Sequence, residues 1–182
     1  MGTKKKTSMI NKLAILGGKP TLKELNPYSS ISKLEVAEVN KVISSGKISC
    51  FYGSWGEGFL GGEKIQELEN LWSKKFEVKH SISVNSNTSG LYAAVGAIGV
   101  SPGDEILVPS TSMSATAMAP LIYGAIPIFV DIDKETFCMN VDDVKKKITK
   151  KTKAILTVNL FGHPAKLKEL KKLAKKNKIF LI

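Results

Sequence analysis

The chain has 182 residues, of which 43% are hydrophobic and 24% are charged. These values are ordinary for a globular protein and allow one domain with a substantial core. No apolar run reaches the length of a bilayer span, so we expect no membrane partner.

The formal net charge is +11, and all 27 basic residues are lysines. A positive charge of this size suggests nucleic acid, but arginine is the better residue for bidentate phosphate and base recognition. The lysines also gather in residues 4–6, 145–153 and 166–178, a pattern typical of solvated faces. Nucleic acid binding is therefore the weaker interpretation, and a lysine-rich genome explains the charge equally well.

The two cysteines, Cys50 and Cys138, lie far apart, and neither has a metal-type spacing. Reduced thiols in a cytoplasmic protein are the simplest account of them. Residues 1–12 contain lysines but no apolar core followed by a cleavage site. We therefore predict a mobile head there and no secretory signal.

The next part of the chain predicts two helices joined by a glycine-rich loop. Ser32 and Glu35 form a capping-box pattern, and the helix that they begin is expected to end near Gly46. Residues 47–62 combine four aromatic residues with five glycines, which favours a loop. Its aromatic side chains either pack onto the body of the protein or serve a substrate or partner, and the sequence leaves both possibilities open. Apolar residues at helical spacing predict the second helix over residues 63–76.

Residues 82–109 predict a strand–turn–helix–turn–strand unit, around which the rest of the chain is organised. A short β run over residues 82–84 enters a polar turn, and a second β run covers residues 105–108. The helix between them begins at the polar turn, where free N–H groups and the positive end of the helix dipole attract anions. The unit therefore predicts an anion site.

Strands and helices continue to alternate after this unit. Strands are predicted over residues 127–130, 154–158 and 178–182, and Asn140 is expected to cap one of the intervening helices. Uninterrupted apolar strands are buried on both faces, so the pattern predicts an α/β fold with a mostly parallel sheet flanked by helices.

Three polar loops, over residues 85–88, 110–114 and 159–163, are expected to meet at the carboxyl edge of this sheet. Ligands bind at that edge in parallel α/β sheets. None of the loops contains G-x-G-x-x-G or G-x-x-x-x-G-K-[ST]. Dinucleotide and P-loop nucleotide sites therefore lose most of their support.

Seven blocks of sequence, in this order and spacing, carry a specific signal. They are L-A-I-L-G-G-K-P (13–20), G-G-E-K-I-Q-E-L-E (61–69), V-N-S-N-T-S-G-L (84–91), S-P-G-D-E-I-L-V-P-S (101–110), A-T-A-M-A (115–119), G-A-I-P-I-F-V-D-I-D (124–133) and N-L-F-G-H-P-A (159–165). From residue 13 onward the chain resembles the DegT/StrS-type aminotransferases. These are fold-type I pyridoxal phosphate (PLP) enzymes that act on nucleotide-linked keto-sugars.

The resemblance implies a three-layer fold-type I large domain, of which this chain would hold a truncated part. We therefore divide the sequence into the mobile head (1–12), an N-terminal helix with the aromatic glycine-rich loop (13–62) and an incomplete PLP-binding large domain (63–182). An active site at a dimer interface is usual for this fold type, so the resemblance also implies a homodimer of the full-length protein.

The resemblance also implies the cofactor-binding residues. The family segment that binds the PLP phosphate falls on Ser86, Asn87 and Thr88, with Asn87 where the family usually has glycine. Met113 stands where an aromatic residue usually lies against the pyridine ring, and methionine can cover a ring through polarizable contacts. Asn159 stands near the cofactor, where the family often has histidine.

Neighbouring positions have simpler interpretations beside these roles. His163 stands where the family has Gln or His, and a plain loop or capping histidine is an equal alternative. Ser110, Ser112 and Thr116 lie around the turn that carries Met113. For Ser110 and Ser112 we expect helix capping.

No catalytic residue is assigned, because the resemblance places the family's Schiff-base lysine and its pyridinium-binding Asp beyond Ile182. The 182 residues alone are therefore expected to be inactive. The implied activity of the full-length protein is transfer of an amino group, from a donor such as glutamate, to a nucleotide-linked keto-sugar. A PLP-dependent sugar dehydratase of the same family and a non-catalytic basic binding fragment are the alternatives.

Overall fold

The computed structural model describes residues 13–22, 24, 27–48 and 50–182. The expected mobile head, residues 1–12, lies outside the described residues. The chain divides between Glu63 and Lys64 into two compact units. Among the described residues, no helix combines the length and apolar character needed to span a membrane.

The described residues of the first unit include one complete α-helix, α1 (Lys33–Ser44). The predicted capping box is confirmed, because the Ser32 hydroxyl accepts a hydrogen bond from the Leu34 N–H and the Glu35 carboxylate accepts one from the Ser32 N–H. The described residues of the predicted loop form no helix or strand. Trp55 stacks on Phe59 there, with ring centroids 4.2 Å apart, and remains 85% exposed.

Helix α2 (Glu63–Phe76) begins at the boundary between the two units. The second unit then alternates helices and strands. In chain order these are α3 (Asn87–Ala97), β1 (Glu105–Pro109), α4 (Ser114–Ile122), β2 (Ile126–Val130), α5 (Val141–Lys147), β3 (Thr152–Ile155), α6 (Leu167–Asn177) and β4 (Phe180–Leu181). Asn140 caps α5 as predicted, since its side-chain oxygen accepts hydrogen bonds from two N–H groups of the first turn.

The four strands form one parallel sheet in the order β2-β1-β3-β4. Alternate side chains of β1 face opposite sides, so Leu107 joins a core with Val144 and Leu170, whereas Ile106 joins a core with Val95. We name α5 and α6 the lysine layer, and α3 and α4 the neutral layer. The α/β prediction of a parallel sheet with buried strands is confirmed.

Two strand predictions need correction. Residues 82–84 are not a strand, because the backbone N–H of Ser83 bonds the carboxylate of Glu69 instead of a neighbouring strand. Strand β3 begins and ends earlier than predicted. Its ladder nevertheless continues, because the Leu156 N–H donates to Leu107 and the Thr157 N–H donates to Ile182.

Candidate functional site

Both helices of the neutral layer begin at the carboxyl edge of the sheet. Helix α4 follows β1 and leads back to the start of β2, so it runs antiparallel to the strands. The hydroxyl of Tyr123, the residue that ends α4, donates to the Tyr92 carbonyl of α3 over 2.9 Å. A Cβ at Gly96 of α3 would lie 2.5 Å from the same hydroxyl oxygen. The two C-terminal ends therefore lie together, and both N-terminal ends point to the carboxyl edge.

The first turn of α3 offers two backbone donors. The Ser86 hydroxyl caps the helix by accepting the Ser89 N–H over 3.1 Å, and the Gly90 N–H makes the first helical bond. Among the described residues, the N–H groups of Asn87 and Thr88 have no hydrogen-bond partner. Two free donors at the positive end of a helix dipole bind an oxyanion well.

The surroundings of this turn favour an anion further. Residues 81–103 contain no charged side chain, so no carboxylate in this stretch repels an anion. Asn85 accepts a hydrogen bond from the Ser89 hydroxyl over 2.7 Å, which fixes the turn from its other side. Asn87 is outside the left-handed φ region, so its side chain imposes no backbone strain at this position.

The first turn of α4 presents Met113. This residue occupies the N-cap position, makes no side-chain capping bond and is 78% exposed, so its thioether is accessible at the carboxyl edge. The capping prediction for Ser112 is wrong, because its hydroxyl lies 2.8 Å from the hydroxyl of the buried Thr116. Ser110 does not cap the helix either; its N–H extends the sheet by donating to the Val130 carbonyl.

The third loop is closed by Asn159. Its side-chain carbonyl accepts the Ala165 N–H over 2.9 Å, across a 3-10 turn in which Phe161 has a φ of 54°. Among the described residues, the Asn159 Nδ2 has no partner, so the amide keeps donors for a ligand. The backbone carbonyl of His163 accepts the Cys138 thiol, and this histidine is exposed.

One feature of this edge could not be seen in the sequence. Within the part of the chain that the structure describes, the Thr157 Oγ1 is the only buried side-chain nitrogen or oxygen without a hydrogen-bond partner. A threonine at the end of an apolar strand carries no motif, so only the packing reveals it. Buried hydroxyls are normally satisfied, so this one is an exception to the usual pattern.

The candidate site offers hydrogen-bond donors suited to an anion, and the described residues of its two first turns include no acidic or basic side chain. The aspartates whose pKa is lowered, Asp133, Asp142 and Asp143, follow β2 or belong to α5 and not to the first turns of α3 and α4. Among the described residues, no group of three His, Cys, Asp or Glu side chains could hold a metal ion. Of the five expected cofactor residues, the structure places four at the first turns of α3 and α4 and one in the loop after β3.

Comparison with known proteins gives a family match and related enzymes. A model of the DegT/DnrJ/EryC1/StrS aminotransferase family matches residues 31–182. The GDP-perosamine synthase of Escherichia coli O157:H7 is 42% identical over 121 residues, which cover 66% of this chain and 33% of that protein. The 3-oxo-glucose-6-phosphate:glutamate aminotransferase of Bacillus subtilis is 31% identical over 157 residues, which cover 84% of this chain and 36% of that protein. The chain thus spans about a third of the length of these curated relatives.

A solved structure shows the same fold. The GDP-4-keto-6-deoxy-D-mannose-3-dehydratase of E. coli, with bound hydrated PLP, superposes with a TM-score of 0.73 at 31% identity. The match covers 85% of this chain and 38% of that one. The parallel sheet and its flanking helices are therefore a part of the fold seen in that PLP-containing structure.

Proposed function

Because the chain belongs to the DegT/DnrJ/EryC1/StrS aminotransferase family, we propose that it is the cofactor-phosphate-binding part of a PLP-dependent sugar aminotransferase. The observation that carries this proposal is the pair of free N–H groups of Asn87 and Thr88 at the positive end of α3. When bound, PLP supplies the electron sink by which an amino group moves from a donor to a keto group.

Each expected cofactor residue has a role that its geometry supports. The N–H groups of Asn87 and Thr88, with the Thr88 hydroxyl, hold the phosphate, and Ser86 keeps the turn in place as the helix cap. The exposed Met113 thioether covers one face of the pyridine ring. Asn159 offers its Nδ2 as a donor, because its carbonyl already holds the loop.

The substrates are proposed from the relatives. The perosamine synthase and the dehydratase have names that refer to GDP-linked sugars, and the name of the B. subtilis aminotransferase contains glutamate. We assign a nucleotide-linked keto-sugar as the acceptor and glutamate as the donor. The whole protein is proposed to be a cytoplasmic homodimer. Two observations support this: Cys50 and Cys138 are unpaired, and the outer side of α4 exposes Met118, Leu121 and Ile122.

The dehydratase alternative rests on the solved E. coli enzyme. Product analysis of the whole protein with GDP-4-keto-6-deoxymannose and glutamate distinguishes the two reactions. An amino sugar supports the proposed transfer, whereas a 3-deoxy sugar without nitrogen supports the dehydratase.

The phosphate site can be tested on this chain. Its 27 lysines would react with the PLP aldehyde at many positions, so the probe is pyridoxine 5′-phosphate, with pyridoxine as the phosphate-free control. Isothermal titration should show tighter binding of the phosphate ester. Thr88→Val should weaken that binding about 10-fold, as expected for loss of one hydrogen bond to a charged group. Equal affinity for the two probes, or an unchanged affinity in T88V, would contradict the proposed site.

The expected absence of catalytic activity in the 182 residues has a separate test. Borohydride treatment of the chain with PLP, followed by peptide mass spectrometry, should give labelling scattered over exposed lysines. Stoichiometric labelling of one lysine would show that the chain contains a covalent PLP site of its own.

A further inference from the structure

We propose that Glu69 of α2 is a positioning residue for the phosphate-binding turn, a role that rests on the function proposed above. One carboxylate oxygen, Oε1, accepts two hydrogen bonds from the same residue, Ser83. The backbone N–H donates over 2.7 Å and the hydroxyl over 2.9 Å. Ser83 lies three residues before the helix cap Ser86, so Glu69 holds the chain immediately before the site.

A second hydrogen bond joins α2 to the same segment, and we call the Glu69–Ser83 and Ser73–Ser81 contacts together the clamp. The Ser73 hydroxyl, one helical turn after Glu69 on α2, donates to the Ser81 hydroxyl over 2.8 Å. Residues four apart on a helix share a face, and residues two apart on an extended segment share a side. The two bonds therefore lay one side of residues 81–83 along one face of α2. Ile82, on the other side, is 83% exposed.

The clamp replaces the strand pairing that the sequence suggests for this segment. Residues 82–84 have no ladder in the described structure, so side chains of α2 set their position along the chain. A hydrogen bond to a carboxylate is about twice as strong as one between neutral groups. Release of Ser83 would free the chain that enters Ser86, and with it the orientation of the N–H groups of Asn87 and Thr88.

A positioning role predicts an effect on the phosphate alone. In Glu69→Ala, the affinity for pyridoxine 5′-phosphate should fall about 3- to 10-fold, the loss expected when one net hydrogen bond becomes disordered. The affinity for pyridoxine should stay the same. Glu69→Gln keeps an acceptor oxygen and should restore most of the binding. The matched control is Glu67→Ala on the same helix, because Glu67 forms an exposed ion pair with Lys64. This variant should bind both probes as the wild type does.

Amide NMR adds a readout that simple loss of stability would not move. Addition of pyridoxine 5′-phosphate to the wild type should shift the amide resonances of Asn87 and Thr88. In E69A these shifts should be smaller, whereas the resonances of distant amides should be the same as in the wild type. If E69A does not fold, Ser83→Ala replaces it in the comparison with the wild type. It removes the hydroxyl bond and keeps the N–H bond, and should weaken the phosphate probe about 2- to 3-fold.

The outcomes separate this proposal from the function on which it rests. A wild-type chain that does not prefer the phosphate ester contradicts the proposed function. A wild type that prefers it, together with E69A that binds both probes like the wild type, overturns the role of Glu69 alone. Equal weakening of both probes in E69A overturns it as well, because that result indicates general loss of structure.

Discussion

The two helical layers of the second unit bury similar apolar faces against the same sheet but differ completely in charge. Residues 141–178, which contain α5 and α6, hold 13 of the 27 lysines and 3 of the 16 acidic residues, a net charge of +10. The rest of the chain is nearly balanced, at +1. The helices of the neutral layer, α3 and α4, contain no charged residue.

The difference separates two uses of a helix surface. A layer covered with lysines keeps its outer face in water, whereas a neutral layer that exposes Met118, Leu121 and Ile122 has a surface suited to burial against further protein. The candidate site lies at the start of the neutral layer. There the partial positive charge of a helix N-terminus acts on an anion, and neither α3 nor α4 contributes a charged side chain of its own.

The largest expected effect tests whether the two layers share one cooperative core. Leu170 of α6 is fully buried against the sheet, so Leu170→Ala should lower the free energy of unfolding by about 2–5 kcal/mol. Val95→Ala in α3 removes less apolar volume and should cost about 1.6 kcal/mol from transfer alone. Urea unfolding of each variant measures its loss of unfolding free energy. Leu167→Ala, at a position that is 42% exposed, is the control on α6, and two separate transitions would contradict a shared core.

Helix caps give the next largest effect and separate stability from binding. Asn140 caps α5 through two N–H groups and Ser86 caps α3 through one, so each alanine variant should lose about 1 kcal/mol. Only Ser86→Ala should also weaken pyridoxine 5′-phosphate binding, because of these two helices only α3 contributes to the candidate site. Asn140→Asp keeps an acceptor and should retain most of the stability. Equal effects of S86A and N140A on binding would remove the distinction between the layers.

The elements were largely predictable from the sequence because their signals are local. The cap of α1, the cap of α5 and the apolar runs of β1 and β2 each depend on a few adjacent residues. The short run at residues 82–84 misled the prediction, because strand pairing depends on a neighbour that local sequence does not specify. Here the neighbour is helix α2, and the Ser83 N–H donates to the Glu69 carboxylate instead of to a strand.

The candidate site was predictable only in part. The resemblance to the DegT/StrS-type enzymes indicated which residues would face the cofactor, and the family it named is confirmed. The roles assigned to Ser86, Asn87, Thr88, Met113 and Asn159 remain predictions. Local sequence could not reveal that Ser112 bonds Thr116 or that Thr157 has an unsatisfied hydroxyl, because both depend on how separate elements pack.

We expect acid to lower the stability of the protein through carboxylates of the lysine layer. The pKa of Asp143 is lowered chiefly because its carboxylate accepts the Asp131 N–H and also pairs with Lys147. A carboxyl whose folded pKa lies below its unfolded value stabilises the protein above the unfolded value, and this contribution is lost as the pH falls through the folded pKa. The urea midpoint should therefore drop as the pH falls below about 4, the ordinary pKa of an aspartate.

Two variants locate the source of that drop. Asp143→Asn should flatten the dependence of the urea midpoint on pH, and Lys147→Gln should flatten it less, because it removes only the second contribution to the lowered pKa. The neutral-layer helices contain no carboxylate that could produce the same effect. An acid-induced loss of stability that is as steep in D143N as in the wild type would assign the sensitivity to other carboxylates.

The smallest expected effect concerns repulsion within the lysine layer. Lys172 of α6 has lysines four positions before and after it, Lys168 and Lys176, and all three are exposed. Like charges at this spacing destabilise a helix by about 0.2–0.5 kcal/mol per pair, and opposite charges stabilise it by a similar amount. Lys172→Glu should therefore raise the urea midpoint at low salt, and Lys172→Gln should give about half of that gain. Both gains should shrink in 0.5 M NaCl, where the electrostatic screening length is about 4 Å. A gain that persisted in salt would mean that α6 is stabilised by helix propensity or packing, and that the concentrated charge costs the fold little.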